Sequence, residues 1–214
     1  MFSKLQYISQ GETAAMQLKN INEALDAGCN WVQLRFKNAR ENELQITAEE
    51  VKKACDHYGA TFIINDHPEI AKSVNADGVH LGLTDMKIAE AKNIIGTNKI
   101  LGGTANILEH VLQRVEEGCS YVGLGPFRFT PTKEKLSPVL GLHGYKIIMA
   151  ELETQKISTP VYAIGGIVLD DVADIMQTGV HGIAVSGTIT NHSDKKLLVK
   201  QFNTFLYGTV NDIG

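Results

Sequence analysis

Short apolar runs recur along the whole chain, and each is separated from the next by a segment with helical spacing of its apolar residues. We predict eight strands from these runs, over residues 5–8, 31–34, 61–64, 78–81, 99–101, 121–124, 161–164 and 182–185. Several of the runs are apolar throughout, as expected of strands buried on both faces of a parallel sheet. The alternation restricts the fold to the parallel α/β class.

The intervening segments predict helices, several of which end at glycine stops. They cover residues 14–27, 44–58, 85–95, 106–118, 142–152, 170–177 and 193–206, with a short helix starting at Pro68. Asp85 and Asn106 are expected to cap the fourth and fifth helices. Repeated βα units in 214 residues predict a single (β/α)₈ TIM barrel over residues 1–214. A doubly wound open sheet is the alternative, but no glycine-rich fingerprint follows the first strand.

Composition and charge exclude several classes of function. A net charge of −4 argues against a general nucleic-acid binder. No apolar run reaches the length of a membrane span, and the first residues lack the apolar core of a signal peptide. The 3 cysteines are widely spaced and the 7 histidines form no ligand pair, so we expect reduced thiols, a cytoplasmic location and no zinc site. A homo-oligomer is compatible with this composition.

Carboxylates stand at the ends of two neighbouring predicted strands. Asn65 and Asp66 follow the third strand, and Asp85 follows the fourth. Loops at the carboxyl ends of barrel strands carry the chemistry of this fold, and oxygen ligands suit a hard divalent cation. Taken singly, Asp85 fits a helix cap and Asp66 fits a turn. Taken together, they predict a Mg²⁺ site.

Basic and neutral polar residues occupy other strand ends of the same rim. They are Gln33, Arg35 and Lys37 after the second strand, Thr104 after the fifth, and Lys133 in a long loop after the sixth. A cation and several basic side chains together neutralise a multiply charged anion, so this group predicts a diphosphate ligand. The loop over residues 125–141 exceeds the usual length of a connection and is expected to act as a lid.

A second phosphate site is predicted after strands seven and eight. Gly165-Gly166 and Ser186-Gly187 stand there, where barrels of this type bind phosphate through backbone N–H groups. The sequence therefore predicts two phosphate-bearing small-molecule ligands, one of them with a metal ion.

Six motifs at these positions carry a family resemblance. They are Gln33-Leu-Arg-Phe-Lys37, Ile64-Asn-Asp66, Ala76-Asp-Gly-Val-His-Leu-Gly-Leu-Thr-Asp85, Tyr121-Val-Gly-Leu-Gly-Pro126, Thr130-Pro-Thr-Lys133 and Ala163-Ile-Gly-Gly-Ile167. Together they resemble the thiamine-phosphate synthase family over most of the chain. The resemblance implies a Mg²⁺-dependent barrel enzyme of thiamine biosynthesis. Such an enzyme joins 4-amino-2-methyl-5-(diphosphomethyl)pyrimidine to a thiazole phosphate, carboxylated or not, and releases diphosphate.

The resemblance also implies roles for individual residues. The pyrimidine diphosphate would be held by Gln33, Arg35, Lys37, Asn65, Thr104 and Lys133. The thiazole phosphate would be held by Thr130, Thr132, Gly166, Ser186 and Gly187. Asp66 and Asp85 would bind Mg²⁺ and, with Arg35, Lys37 and Lys133, stabilise the departing diphosphate. The C–O bond would break first and leave a methyl cation that the thiazole nitrogen captures.

The chain departs from the family pattern at three positions. Leu83 stands where Gln is common, Thr104 replaces a usual Ser, and Ser186 is shifted by one place. A thiazole tautomerase on the same fold is the nearest alternative, but it needs a histidine where this chain has Asn106. A non-catalytic sensor of phosphorylated ligands is a second alternative, and it would have no use for Lys133 and the carboxylate pair.

Overall fold

The structure, a computed structural model, describes residues 2–129 and 138–208. Eight parallel strands form one closed barrel in chain order, and β8 returns to pair with β1. The strands are β1 Leu5–Ile8, β2 Trp31–Leu34, β3 Thr61–Asn65, β4 Gly78–Leu81, β5 Ile100–Ala105, β6 Tyr121–Leu124, β7 Val161–Ile164 and β8 Gly182–Val185. The predicted (β/α)₈ barrel is confirmed, and β3 and β5 are the strands that extend beyond their predicted ends.

Helices follow the strands around the outside of the barrel. They are α1 Ala14–Asp26, α2 Glu41–Tyr58, α3 Pro68–Ser73, α4 Ile88–Ile95, α5 Leu108–Glu116, α6 Gly141–Thr154, α7 Val172–Met176, α8 Gly187–Thr190 and α9 Lys195–Tyr207. A 3₁₀ turn, Leu169–Asp171, precedes α7. The predicted helix over 193–206 corresponds to α9, and Asp194 is the residue that caps its amino end.

Two predicted helix caps are wrong. Lys87 precedes the first residue of α4, whereas the Asp85 carboxylate accepts a hydrogen bond from the Gly82 N–H at 2.6 Å and closes a tight turn. Ile107 precedes α5, and the buried side chain of Asn106 donates to the Gly125 carbonyl. In both cases a polar side chain bonds to a backbone group of a strand-end loop rather than to its own helix.

Aromatic side chains close the amino end of the barrel. Trp31, Tyr121 and Tyr162 are buried together inside it, and the Phe2 ring stacks on Trp31 at 5.2 Å between ring centres. The Trp31 ring centre is 5.0 Å from those of both Tyr121 and Tyr162, in edge-on packing. This aromatic floor leaves the carboxyl end as the polar end of the barrel interior.

The floor constrains one neighbouring backbone position strongly. A Cβ atom at Gly102 in β5 would overlap both the Tyr121 ring and Nδ1 of His80. Glycine is therefore required here so that a large aromatic side chain and a histidine can cross the barrel interior side by side.

The described residues contain no membrane-spanning helix, and the cysteines are buried thiols. Along residues 2–129 and 138–208, no helix combines the length and apolarity that crossing a bilayer requires. Cys29, Cys55 and Cys119 are buried free thiols, and burial raises the pKa of each to about 12. At neutral pH these thiols are therefore protonated and unreactive.

Candidate active site

Asp66 and Asp85 lie side by side at the carboxyl end of the barrel. Asp66 follows β3 in a left-handed conformation with φ of 66°, and its N–H donates to the His80 carbonyl at 2.9 Å. Aspartate tolerates this conformation better than most residues do. The two carboxyl groups are within hydrogen-bonding reach of each other. The predicted proximity of these residues is therefore present in the structure.

The environment of Asp66 disfavours its ionised form. Burial raises its pKa most, the hydrogen bond and charge of Asp85 add to this, and Arg35 and Lys37 lower it only in part, leaving it at about 7. Two carboxylates that cannot both ionise without cost are stabilised when a cation binds between them. The pair thus has the electrostatics expected of a site for a divalent cation.

Asp66 and Asp85 provide the number of protein ligands that a Mg²⁺ site commonly has. No cluster of three or more His, Cys, Asp or Glu side chains able to hold a metal occurs among residues 2–129 and 138–208. Mg²⁺ is commonly bound by one or two carboxylates and completes its shell with water and substrate phosphate oxygens. Asp66 and Asp85 fit such a site, with a phosphate group as the expected third partner.

Arg35 lies beside this pair with a fixed backbone and an available guanidinium. Its N–H donates to Ser9 Oγ at 2.9 Å, and its carbonyl accepts from Gln17 Nε2 at 3.3 Å. Burial lowers its pKa, whereas the charge of Asp66 opposes that change. Within the described part of the chain the guanidinium makes no hydrogen bond or ion pair, so its donors are available for an anion. Lys37, two residues further, is exposed on the rim.

Gln33 and Asn65 form a polar pair deeper in the opening. Gln33 Nε2 donates to Asn65 Oδ1 at 2.7 Å, while Gln33 Oε1 is buried and has no partner among the described residues. An unsatisfied buried acceptor costs about 1–3 kcal/mol, so this atom favours a ligand that brings an N–H donor. Gln33 is only 2% exposed, which places this acceptor at the bottom of the opening.

A hydrogen-bonded column connects this region to the barrel floor. Gln6 Nε2 donates to the Tyr121 hydroxyl at 3.2 Å, which lies 3.0 Å from His80 Nδ1. His80 Nε2 lies 2.9 Å from the Thr104 hydroxyl at the cavity surface. His80 is therefore a hydrogen-bonded core histidine that supports Thr104.

Glycine turns form the opposite wall. Gly165 and Gly166 follow β7 with φ of 95° and 70°, and a Cβ at Gly165 would lie 2.8 Å from Pro126. Gly187 begins α8, and its preceding residue Ser186 donates its hydroxyl to the Ile8 carbonyl at 2.6 Å. The Ser186 side chain is thus bonded to β1, and Ser186 and Gly187 both line the cavity.

Arg35, the Gln33–Asn65 pair, Thr104 and the glycine turns line one cavity of about 380 Å³, and Asp66, Asp85 and Lys37 are not among the described residues that line it. Its lining includes Gln33, Arg35, Asn65, Thr104, Gly166, Ser186 and Gly187, and also His80, Phe129 and Ile167. The structure therefore brings together the predicted site residues of β2, β3, β5, β7 and β8. Thr130, Thr132 and Lys133, within residues 130–137 of the expected lid, lie outside the described residues.

Two arginines near the site carry structural roles that the sequence does not reveal. Arg114 of α5 is buried, and it donates to the Thr104 carbonyl at 3.2 Å and to the Gly82 carbonyl at 2.9 Å. It also pairs with Glu117 at 2.7 Å. A charged pair three residues apart in the sequence is typical of an exposed helix face. Arg128 contacts the glycine turn after β7 and is taken up below. Neither residue belongs to a motif that would have identified it.

The fold and the rim define a class of protein. A (β/α)₈ barrel with paired carboxylates beside a cavity that Arg35 and two glycine turns line is typical of enzymes that act on phosphorylated small molecules. Residues 5–189 match the family described as thiamine monophosphate synthase. The chain belongs to this family of transferases.

Individual relatives agree with this assignment. Thiamine-phosphate synthase of Flavobacterium johnsoniae is 58% identical over 210 residues, which cover 98% of this chain and 99% of that one. The enzyme of the same name from Phocaeicola vulgatus is 46% identical over 191 residues, covering 89% and 92%. The solved structure of thiamine phosphate pyrophosphorylase from Pyrococcus furiosus is 31% identical, with a TM-score of 0.83 and 95% coverage of both chains.

Proposed function

We propose that this protein is a Mg²⁺-dependent thiamine-phosphate synthase that joins a pyrimidine methyl diphosphate to a thiazole phosphate and releases diphosphate. The observation that carries the proposal is the adjacency of the Asp66–Asp85 pair to Arg35, which lines the cavity and whose guanidinium makes no hydrogen bond or ion pair with any described residue. This arrangement suits a reaction in which a diphosphate group departs with the electrons of its C–O bond.

The rim would act on the leaving group. Mg²⁺, when bound by Asp66 and Asp85, supplies positive charge that stabilises the departing diphosphate. Arg35 donates to the diphosphate oxygens as charge develops on them, from a backbone position held by Ser9 and Gln17. Lys37 adds a second positive charge at the edge of the rim, and the family motif gives Lys133 the same role.

The cavity interior would hold the pyrimidine. Gln33 Oε1 accepts from the exocyclic amino group, which satisfies its missing hydrogen bond, while Thr104 and Asn65 contact the ring nitrogens and the diphosphate side. Departure of the diphosphate leaves a methyl cation stabilised by the aminopyrimidine, and the thiazole nitrogen forms the new C–N bond. This sequence of bond changes requires no nucleophile from the protein.

The glycine turns would hold the phosphate of the second substrate. Gly166 and Gly187 line the same cavity as Gln33, on the opposite wall, so the two substrates enter through one opening. The bond from Ser186 to Ile8 makes backbone N–H groups, rather than the serine hydroxyl, the donors at this turn. Thr130 and Thr132, assigned to the same phosphate by the family motif, lie outside the described residues.

The environment of Asn106 supports a synthase over a tautomerase. Its side chain is buried and donates to the Gly125 carbonyl, so it ties the loop after β5 to the loop after β6. An amide held in this way offers no proton-accepting group near neutral pH. An isomerisation that needs a base at this position has no candidate here.

The direct test is product formation by the purified protein with Mg²⁺. With both substrates present we expect thiamine phosphate and an equimolar amount of diphosphate, measured by mass spectrometry and a diphosphate assay. Either substrate alone should give no product. Conversion of a thiazole carboxylate isomer without any diphosphate release would contradict the proposal and indicate the tautomerase reaction.

A further inference from the structure

Arg128 joins the loop after β6 to the turn after β7. Its Nη1 donates to the Gly166 carbonyl at 2.8 Å and to Asp171 Oδ2 at 2.8 Å, and its Nη2 donates to Asp171 Oδ1 at 2.7 Å. The Arg128 N–H also donates to the Gly165 carbonyl at 3.1 Å. One residue thus holds both glycine carbonyls and forms a bidentate ion pair, the geometry in which such pairs are strongest.

Asp171 completes the arrangement from the other end of the turn. Its Oδ2 also accepts from the Val168 N–H at 2.8 Å. The Asp171 side chain is 14% exposed and that of Arg128 is 44% exposed, so the carboxylate is largely shielded from water. The Arg128 guanidinium carbon lies 5.0 Å from the centre of the Phe127 ring, which restricts its movement. We call Arg128 and Asp171 the turn clamp.

The clamp determines which way the backbone donors of the turn point. In a trans peptide the carbonyl and the following N–H point in opposite directions. Because the Gly165 and Gly166 carbonyls face Arg128, the N–H groups of Gly166 and Ile167 face away from it. Both residues line the cavity, and neither N–H donates to another described residue. The turn therefore presents two free N–H donors on its cavity side.

We propose that Arg128 and Asp171 are positioning residues for the phosphate of the second substrate. They would hold the Gly165 and Gly166 carbonyls outward so that the N–H groups of Gly166 and Ile167 receive the phosphate oxygens. The clamp touches no reacting atom. The inference rests on the proposed function, which places a phosphate at this turn.

The test is a titration of the metal-free protein with inorganic phosphate, followed by the amide NMR signals of Gly166, Ile167 and Gly187. We expect these signals to shift in the wild type, and Arg128→Lys and Asp171→Asn each to weaken phosphate binding roughly fivefold. The signs separate positioning from charge. Arg128→Lys keeps the positive charge, and Asp171→Asn removes a negative charge, which by electrostatics alone would tighten anion binding.

A matched control lies next to the clamp. Asp170 is exposed and makes no hydrogen bond or ion pair with any described residue, so Asp170→Asn makes the same charge change without breaking the clamp. We expect it to bind phosphate as the wild type does or more tightly. In steady-state kinetics, the two clamp variants should raise the KM for the thiazole phosphate roughly fivefold and leave the KM for the pyrimidine diphosphate unchanged.

Three results would overturn the clamp. One is wild-type binding by both Arg128→Lys and Asp171→Asn. Another is tighter binding by Asp171→Asn, which would mean that Arg128 acts on phosphate by its charge. The third is a wild-type protein that forms thiamine phosphate although phosphate leaves the three amide signals unmoved. Conversely, phosphate binding at the turn with no product formation from both substrates would contradict the proposed function and leave the clamp standing.

Discussion

The surroundings of Asp66 strongly change its pKa. Its pKa is raised from 3.8 to about 7, first by burial and then by Asp85. The folded chain therefore retains a proton that the unfolded chain releases at lower pH. The stability gained in this way is complete below pH 3.8 and is lost as the pH rises through about 7.

Replacing Asp66 with asparagine should remove this pH dependence. In metal-free protein at pH 8 we expect Asp66→Asn to increase the free energy of unfolding by about 1 kcal/mol, after allowance for solvent screening, and at pH 5 to change it little. Urea unfolding at the two pH values measures this difference. Asp170→Asn, at an exposed carboxylate, is the control. Parallel stabilities of the wild type and Asp66→Asn from pH 5 to pH 8 would contradict the environment described for this residue.

Replacing Arg35 should lower activity without lowering stability. Its guanidinium makes no hydrogen bond or ion pair with the described residues, so Arg35→Met removes no internal bond while it removes a half-buried charge. We expect kcat to fall about 100-fold because the leaving group loses charge-assisted donors. The free energy of unfolding should not decrease.

Arg40→Met is the matched control for this experiment, because Arg40 is an exposed arginine at the start of α2 with no capping hydrogen bond. It should keep kcat within about twofold of the wild type. An Arg35→Met variant that turns over normally would show that Arg35 does not serve the leaving group, and one that unfolds would contradict the expected stability.

At the scale of elements, the strands were predictable and the strand-end loops were not. The strands could be predicted from continuous apolar runs, because a strand buried on both faces carries apolar residues at successive positions. The caps at Asp85 and Asn106 were mispredicted because Asp85 bonds to Gly82 within its own turn, and Asn106 bonds to Gly125 in a loop that the tertiary fold brings near. The same limit applies to Arg114 and Arg128, whose partners are distant in sequence.

The positions of the proposed site residues could be predicted because polar side chains are concentrated at strand ends. Asp66, Asp85 and Arg35 could be placed on one rim once the barrel was predicted, since parallel strands bring their carboxyl ends together. What the sequence could not give was the state of each group. The bond from Ser186 to Ile8 and the missing partner of Gln33 Oε1 follow from packing in the closed barrel.

The joint between β8 and α8 gives a prediction at this scale. The Ser186 hydroxyl donates to the Ile8 carbonyl across the closure of the barrel. We expect Ser186→Ala to lower the free energy of unfolding by about 1 kcal/mol, because a part-buried hydrogen bond is lost. The KM for the thiazole phosphate should change less than about threefold, since the backbone donors of the turn are unaffected.

Denaturant unfolding and steady-state kinetics check both parts of this prediction. Ser193→Ala removes an exposed hydroxyl that makes no hydrogen bond to a described residue and should change neither quantity. If Ser186→Ala raised the KM more than tenfold at unchanged stability, the hydroxyl would have to be a phosphate ligand and the bond to Ile8 incidental.

The whole molecule divides stability and chemistry between the two ends of the barrel. The aromatic floor of Phe2, Trp31, Tyr121 and Tyr162 fills the amino end, while titratable and polar groups collect at the carboxyl end. The column from Tyr121 through His80 to Thr104 links the two. This division allows the rim to hold an unfavourable carboxylate pair, because the floor and the outer helices supply the folding free energy.

We propose that the activity of the whole molecule depends on Mg²⁺ bound by the carboxylate pair, which helps diphosphate leave. The most direct test is diphosphate release as a function of Mg²⁺ concentration for the wild type, Asp66→Asn and Asp85→Asn, with both substrates saturating. We predict no release by the wild type in excess chelator, saturable activation by Mg²⁺, and at least tenfold more Mg²⁺ for half-activation of each variant. Wild-type release in chelator, or the same half-activating Mg²⁺ concentration in all three proteins, would contradict the claim.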